Sequence, residues 1–194
     1  MPEPAHLALL LAAGGSRRLG QPKQLLDLNG ISLIRRMALA ALATEPTELL
    51  VSLGAEVEGC RAALQGLRWR EVLVADWTEG MGRSLAAGVE AITNPALAVL
   101  VLGVDQPALD AAHLRALVAL GRERPDCAVA SAYADTLGIP ALFPAEWRPR
   151  LAALGGDLGA RVLLRSGDPS VLSVPAPQLA IDIDTPADLG SLRP

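Results

Sequence analysis

Short apolar runs of strand length alternate with helical patterns along most of this 194-residue chain. The runs at residues 7–12 and 96–102 are continuously apolar, as strands are when both of their faces are buried. Residues 31–43 lie between them and repeat apolar side chains at helical spacing. Buried strands separated by helices indicate a parallel sheet that is covered on both faces. Ligands bind such sheets at the loops that follow the carboxyl ends of the strands.

The remaining patterns predict further elements of the same kind. We expect helices at residues 57–64, 83–92, 111–122, 146–153 and 158–165, and strands at residues 48–53, 71–75, 128–132, 137–143 and 171–174. The alternation becomes irregular after residue 125, where two strands follow one another directly. A chain of this length predicts a single domain over residues 1–194.

Composition excludes several classes of protein. Hydrophobic residues make up 51% of the chain and charged residues 20%, which excludes intrinsic disorder. The net charge of -4 and the aromatic content of 3% argue against a nucleic-acid partner. Cys60 and Cys127 have neither metal-ligand nor disulfide-framework spacing. No apolar run approaches the roughly 18 residues of a membrane span, and no basic leader begins the chain, so we expect a cytoplasmic protein without a membrane partner.

The loop after the first predicted strand has the composition of a polyphosphate site. Small residues at positions 12–16 allow backbone N–H groups to approach a ligand closely, and cationic side chains follow. Lys23 is the only lysine among 17 basic residues, and lysine is a compact, mobile point charge. The spacing matches neither a P-loop, because Gln21 follows Gly20, nor the Gly-x-Gly-x-x-Gly dinucleotide motif.

The string Leu-Ala-Ala-Gly-Gly-Ser-Arg-Arg-Leu-Gly-Gln-Pro-Lys at residues 11–23 resembles a nucleotidyltransferase signature. Four more segments fit the same family in the same order, namely residues 80–88, 105–107, 156–161 and 182–189. Together they resemble the molybdenum-cofactor nucleotidyltransferases, most closely the cytidylyltransferase branch. Gln106 and Leu19 depart from this pattern, since the family usually has Met at both positions.

This resemblance implies a fold and a reaction. The fold would be a Rossmann-like three-layer α/β/α sandwich with a mostly parallel sheet, of the nucleotide-diphospho-sugar transferase type. Residues 1–125 would form the nucleotide-binding portion and residues 126–194 the acceptor-side portion. The reaction would join CTP to molybdopterin monophosphate with release of pyrophosphate, and Mg²⁺ would be the cofactor.

The resemblance also assigns roles to charged residues. Lys23 and Arg18 would be catalytic, because transfer of a nucleotidyl group brings two anions together and depends on charge stabilisation. Asp105 and Asp184 would bind the metal, since Mg²⁺ prefers carboxylate oxygens and substrate phosphates. Asp157 and Arg161 fall where the acceptor should bind.

The nucleotide would contact a larger set of residues. These are Leu11, Ala12, Ala13, Gly14, Gly15, Lys23, Gly82, Ser84 and Asp105. Ala13 favours CTP over GTP, because the family pairs Leu-Ala-Ala-Gly with cytidine and a methyl group narrows the base pocket.

Three alternatives stay open on the sequence alone. The nucleotide could be GTP, or the acceptor could be a sugar or alditol phosphate. The third alternative is a carrier without catalysis, which would deliver the molybdenum cofactor to a partner enzyme. In the favoured interpretation, a molybdoenzyme would receive the product.

Overall fold

The computed structural model of this protein describes residues 5–156, 159–164 and 167–192. The strands in these residues are β1 (His6–Ala12), β2 (Asp27–Leu28), β3 (Ile31–Ser32), β4 (Leu49–Leu53), β5 (Arg70–Leu73), β6 (Ala98–Gly103), β7 (Ala128–Tyr133), β8 (Thr136–Phe143) and β9 (Val171–Pro175). The α-helices are α1 (Leu33–Leu42), α2 (Val57–Ala63), α3 (Met81–Glu90), α4 (Ala111–Glu123) and α5 (Arg148–Ala152). Short 3-10 helices occur at Lys23–Leu25, Trp77–Glu79, Ala145–Trp147, Ala160–Leu163, Pro177–Ala180 and Pro186–Leu192.

Seven strands form one sheet in the order β5-β4-β1-β6-β8-β7-β9. The strands β5, β4, β1 and β6 are parallel neighbours, and β9 is parallel to β7. Among the described strands of this sheet, β8 alone runs against the others. The strands β5, β4 and β1 have the order of one half of a doubly wound sheet, and β6 lies where the other half begins. The mostly parallel, Rossmann-like sheet confirms the predicted fold class.

The side chains of β1 alternate between two hydrophobic cores, because successive residues of a strand point to opposite faces. Ala8 and Leu10 pack with residues of α1, α2 and α4 on one face. Leu7 and Leu9 pack with residues of α3 and α5 on the other face. The continuous apolar character of β1 therefore reflects burial on both sides, and the three layers are those predicted.

The helix predicted at residues 31–43 begins two residues later than expected. Its first two residues form β3, which pairs with β2 in a two-stranded ribbon. Asn29 and Gly30 have φ angles of 58° and 82° and connect the two strands. Positive φ angles at both turn residues favour an Asn-Gly hairpin, whose twist matches that of the strands. Ile31 and Ser32 therefore pair with β2, and α1 begins at Leu33.

The helix predicted at residues 158–165 lies only partly within the described residues. There, Ala160–Leu163 forms a 3-10 helix and Leu164 is extended. Gly155, Gly156 and Gly159 precede this 3-10 helix and disfavour a longer helix, since glycine is a poor helix former and nucleation is costly.

In the described part of the chain, no helix has both the length and the apolar character needed to cross a bilayer.

The central parallel strands decide where a ligand can bind. Because β4, β1 and β6 are adjacent and parallel, the residues that follow them meet at one edge of the sheet. Gly54 follows β4, residues 13–23 follow β1, and Asp105 lies two residues beyond β6. This edge is the one at which doubly wound sheets bind ligands.

Histidine burial gives this fold a predicted pH dependence. The Nε2 atom of His6 lies 2.8 Å from the Thr44 hydroxyl, which itself donates to the carbonyl oxygen of Ala41 at 2.7 Å, so Nε2 carries the hydrogen. Burial, followed by the charge of Arg122, lowers the pKa of His6 from 6.5 to about 4. Between about pH 6.5 and about pH 4, the unfolded chain therefore binds a proton at this histidine that the folded chain does not bind. This histidine lowers the free energy of unfolding by about 1.4 kcal/mol for each pH unit over that interval.

We expect His6→Gln to remove about 2 kcal/mol of the stability difference between about pH 7.5 and about pH 5, with urea unfolding as the measurement. Glutamine can retain the donor to Thr44 without titrating. An unchanged pH dependence in this variant would contradict the assignment to His6.

Candidate functional site

A cleft of about 390 Å³ opens at the carboxyl edge of β1 and β6. The loop after β1, the start of α3, the end of β6 and the C-terminal segment contribute its walls. It brings together ten of the residues singled out from the sequence: Leu11, Ala12, Ala13, Gly14, Gly15, Arg18, Lys23, Ser84, Asp105 and Asp184. Segments that are far apart in the chain thus form one site.

Lys23 lies between two carboxylates in this cleft. Its Nζ atom is 2.5 Å from Oδ1 of Asp184 and 3.9 Å from Oδ2 of Asp105. Its side chain is only 14% exposed, so water screens these interactions weakly. Arg18 lies 3.7 Å from Oδ2 of Asp184 with its side chain 79% exposed, and such an exposed ion pair is weak. Lys23 is therefore the fixed cation of the site, and Arg18 is free to reorient.

Backbone hydrogen bonds position the two carboxylates. The N–H of Ile183 donates to the carbonyl oxygen of Asp105 at 2.8 Å and joins the C-terminal segment to the loop after β6. Oδ2 of Asp188 accepts from the N–H groups of Asp184 and Thr185 at 3.0 and 2.7 Å. These contacts explain how residues 79 positions apart in sequence converge on one lysine.

The carboxylate of Asp105 turns back over the end of β6. A Cβ atom at Gly103 would lie 2.7 Å from its Oδ1 atom, so a glycine there makes room for the carboxylate. Burial raises the pKa of Asp105, Lys23 lowers it, and Asp184 raises it. Desolvation raises the pKa of nearby Asp182 to about 6, with Asp105 and Asp184 adding to the shift. Lys23 and Arg18 are the cations beside Asp105 and Asp184, and Asp182 adds a further carboxyl group near them.

Asp105 and Asp184 have the chemistry and placement to hold a divalent cation. Both approach one ammonium group within 4.0 Å, and that ammonium marks where positive charge is stabilised. Carboxylate oxygens are the ligands that Mg²⁺ and Mn²⁺ prefer. The two side chains therefore fit the metal role predicted for them, which stays a prediction.

The loop after β1 presents hydrogen-bond donors to the cleft. Within the described part of the chain, the N–H groups of residues 14–18 find no acceptor. Ser16 has a φ angle of 49°, and its hydroxyl accepts from the N–H of Lys23 at 3.1 Å. Free N–H groups in a tight loop, next to cationic side chains, form a site for phosphate groups.

Gln24 holds this loop in place and was not singled out from the sequence. Its side chain is 1% exposed, and Nε2 donates to the carbonyl oxygens of Ala12 and Gly14 at 2.9 and 2.5 Å. These contacts occupy two carbonyl groups that would repel an anion. The sequence showed only that a polar residue, Gln24, follows Lys23, and residue type alone does not indicate that a glutamine is buried.

Ala13, Ser84 and Gly82 were expected at the nucleotide. Ala13 and Ser84 line the cleft and are almost completely buried. Gly82 is not among the lining residues, and its N–H donates to the carbonyl oxygen of Gly156 at 2.9 Å. The structure therefore brings two of these three residues to the cleft, and the N–H of Gly82 is already engaged.

Of the two residues predicted to bind the acceptor, one lies outside the cleft and the other lies outside the residues that the structure describes. Arg161 is exposed, does not line the cleft, and donates from Nε to the hydroxyl of Thr136 at 3.1 Å. Asp157 lies outside the described residues. The contacts of an acceptor thus stay a prediction.

Comparison with known proteins links the chain to one family of domains. Residues 8–171 match the family described as the MobA-like NTP transferase domain. The chain is 32% identical to purine catabolism protein PucB of Bacillus subtilis, over 100% of this chain and 98% of that protein. It is 35% identical to nicotine blue oxidoreductase of Paenarthrobacter nicotinovorans, over 84% of this chain and 82% of that protein.

Solved structures share the same fold. Rv0371c of Mycobacterium tuberculosis superposes with a TM-score of 0.84 at 29% identity, and 98% of each chain is covered. A second structure of Rv0371c, described as a complex with manganese, superposes with a TM-score of 0.80 at 27% identity and 97% coverage of each chain.

Gln24→Leu tests the role of the buried amide. We expect this substitution to weaken the binding of inorganic triphosphate by about tenfold or more, because two carbonyl groups of the loop lose a buried partner. Calorimetric titration with inorganic triphosphate is the measurement. Thr44→Val is the matched control, since it removes a buried hydrogen-bonding group far from the cleft and should lower stability without changing the Kd. Equal Kd values for Gln24→Leu and the wild type would contradict this role.

Proposed function

We propose a specific reaction for this chain, which belongs to the family of MobA-like NTP transferase domains. It joins the cytidine monophosphate part of CTP to the phosphate of molybdopterin monophosphate and releases pyrophosphate. The family predicted from the sequence motifs is confirmed, and the activity of that family is the transfer of a nucleotidyl group. The nucleoside, the acceptor and the metal are our proposal.

The position of Lys23 carries this proposal. Lys23 lies between Asp105 and Asp184, beside the N–H groups of residues 14–18, for which the described residues provide no acceptor. In the reaction, an oxygen of the acceptor phosphate attacks the α-phosphorus of CTP. The bond from that phosphorus to the bridging oxygen breaks, and its electrons leave with pyrophosphate. Negative charge grows on the leaving group, so preorganised donors and cations supply most of the catalysis.

Each charged side chain has a part in this chemistry. The N–H groups of residues 14–18 bind the triphosphate, and Lys23 contacts the phosphates with its ammonium group. Arg18 is exposed and close enough to turn toward the leaving pyrophosphate. These contacts hold the triphosphate in one orientation for attack, and positioning is a large part of such catalysis.

Mg²⁺ is the proposed cofactor, held by Asp105 and Asp184. When bound, it would neutralise phosphate charge and polarise the phosphoryl group. The manganese complex described for Rv0371c supports a divalent ion at this fold.

The proposed base is cytosine, on the argument from Ala13, and a molybdoenzyme is the proposed recipient of the product. The oxidoreductase activity in the name of one relative belongs to that protein. The loop after β1 lacks the Gly-x-Gly-x-x-Gly spacing of dinucleotide-binding oxidoreductases.

Pyrophosphate release with Mg²⁺ and molybdopterin tests the proposal, with CTP and GTP compared. We expect release with CTP and a loss of about a hundredfold or more in kcat for Lys23→Ala, in line with the removal of one charge-stabilising group. Arg68→Ala is the matched control, because it removes an exposed cation outside the cleft and should leave kcat unchanged.

Other outcomes would select an alternative. Preference for GTP would overturn the assignment of the base and retain the reaction class. Tight molybdopterin binding without pyrophosphate release would favour the carrier. Neither binding nor release would point to a sugar or alditol phosphate as the acceptor.

Asp105→Asn tests the metal proposal separately from turnover. We expect the wild type to bind Mn²⁺ in a titration followed by electron paramagnetic resonance, and the variant to bind it about tenfold or more weakly, since a charged ligand is lost. Ser84→Ala is the control, because it changes the cleft without removing a carboxylate. Equal Mn²⁺ affinity in Asp105→Asn would exclude Asp105 as a ligand.

A further inference from the structure

A tryptophan lies in the cleft at a place that the sequence motifs did not indicate. Trp77 begins the 3-10 helix Trp77–Glu79, which follows β5, and its side chain is partly exposed to the cleft. The chain contains three tryptophans, and the other two, Trp69 and Trp147, do not line this cleft. A partly exposed indole in a ligand cleft offers an apolar surface with one polar edge.

Two glycines provide the space that Trp77 occupies. A Cβ atom at Gly54 would lie 2.4 Å from the indole Cγ, and a Cβ atom at Gly15 would lie 2.7 Å from Cη2 at the far end of the ring system. The indole thus rests against the loops after β4 and β1 over its whole length. Any side chain at either glycine would displace it, so the ring is fixed by backbone on both loops.

The order of the strands places the indole at one end of the site. Gly54 follows β4, Gly15 follows β1, and Asp105 follows β6, and these three strands are neighbours in that order. Adjacent strands are separated by about 4.8 Å, so the edge from β4 to β6 extends for about 10 Å. The phosphate-binding N–H groups of the β1 loop lie between the indole and the two metal-binding carboxylates.

A nucleoside triphosphate has matching chemistry along its length. Its phosphates require the donors and cations of the β1 loop and the metal ion proposed beside the β6 end, which leaves the base on the β4 side. A planar base packs well on an aromatic side chain and needs no hydrogen bond to do so.

The guanidinium group of Arg17 packs on the indole of Trp77 in this structure. Its guanidinium carbon lies over the indole at 6.0 Å from the ring centroid, and Arg17 is exposed. A cation–π contact at an exposed site is weak, so another planar group can take its place. Displaced from the indole, Arg17 would remain next to the phosphates.

We propose that Trp77 forms the surface on which the nucleobase of the substrate packs. This assignment rests on the proposed function and extends it from the phosphates to the base. The chemical class that Trp77 recognises is a planar heteroaromatic ring, and we assign that ring to the nucleotide because of the strand order.

The test separates binding of the base from binding of the phosphates. Kd values for CTP and for inorganic triphosphate are measured with Mg²⁺ for the wild type, Trp77→Leu, Trp77→Phe and Trp69→Leu. We expect Trp77→Leu to weaken CTP binding by about tenfold to a hundredfold, the range for stacking of one base, with triphosphate binding changed by less than about twofold. Trp77→Phe should restore much of the CTP affinity. Trp69→Leu, which removes an indole outside the cleft, should bind CTP like the wild type.

Tryptophan fluorescence supplies a second measurement that does not depend on turnover. We expect CTP to quench the emission of the wild type and of Trp69→Leu, and to leave the emission of Trp77→Phe nearly unchanged. Inorganic triphosphate should quench none of them appreciably.

Three results would overturn the assignment. Equal loss of CTP and triphosphate affinity in Trp77→Leu would show a general disturbance of the site. Unchanged CTP affinity would show that the base lies elsewhere. A loss of affinity for free pterin, with CTP binding intact, would assign Trp77 to the acceptor instead. The proposed function fails separately, when the wild type releases no pyrophosphate from CTP, whereas a failure confined to Trp77 leaves that release intact.

Discussion

The interaction of Lys23 with Asp105 and Asp184 is the constraint on which the site depends. A lysine with little exposure needs charge partners, and here two acidic groups supply them, one of which also pairs with Arg18. The contact holds three segments together, namely the loop after β1, the end of β6 and the C-terminal segment. These contacts bring close to one another two carboxylates of the kind that a divalent ion prefers.

The sheet makes that interaction possible. Because β1 and β6 are parallel neighbours, their loops emerge side by side, and the backbone bond from Ile183 to Asp105 adds the C-terminal segment. The buried amide of Gln24 and the glycines at positions 15, 54 and 103 then shape the cleft in detail. Small residues are used where a backbone, a carboxylate or an indole must approach closely.

Most of the fold could be predicted from hydrophobic pattern. The continuously apolar strands β1 and β6 indicate burial on both faces, and the helices between them follow from apolar spacing. The ribbon of β2 and β3 was missed although Asn29-Gly30 is a hairpin signal, because the helical pattern after it was extended two residues too far. The ribbon forms because the geometry of the Asn29-Gly30 turn prevails over apolar spacing at the start of the helix.

The sequence by itself determined the fold class, the family and four of the charged residues that meet in the cleft, because these depend on local patterns and on motifs in a fixed order. Only the tertiary structure decided that Lys23 bridges two carboxylates, that Gln24 is buried beneath the loop, that the N–H of Gly82 is engaged and that Trp77 forms a wall. Those features depend on contacts between residues far apart in the chain and on which side chains lose their contact with water. The order of residues along the chain does not directly indicate these long-range contacts or the burial of individual side chains, because both depend on how the layers pack.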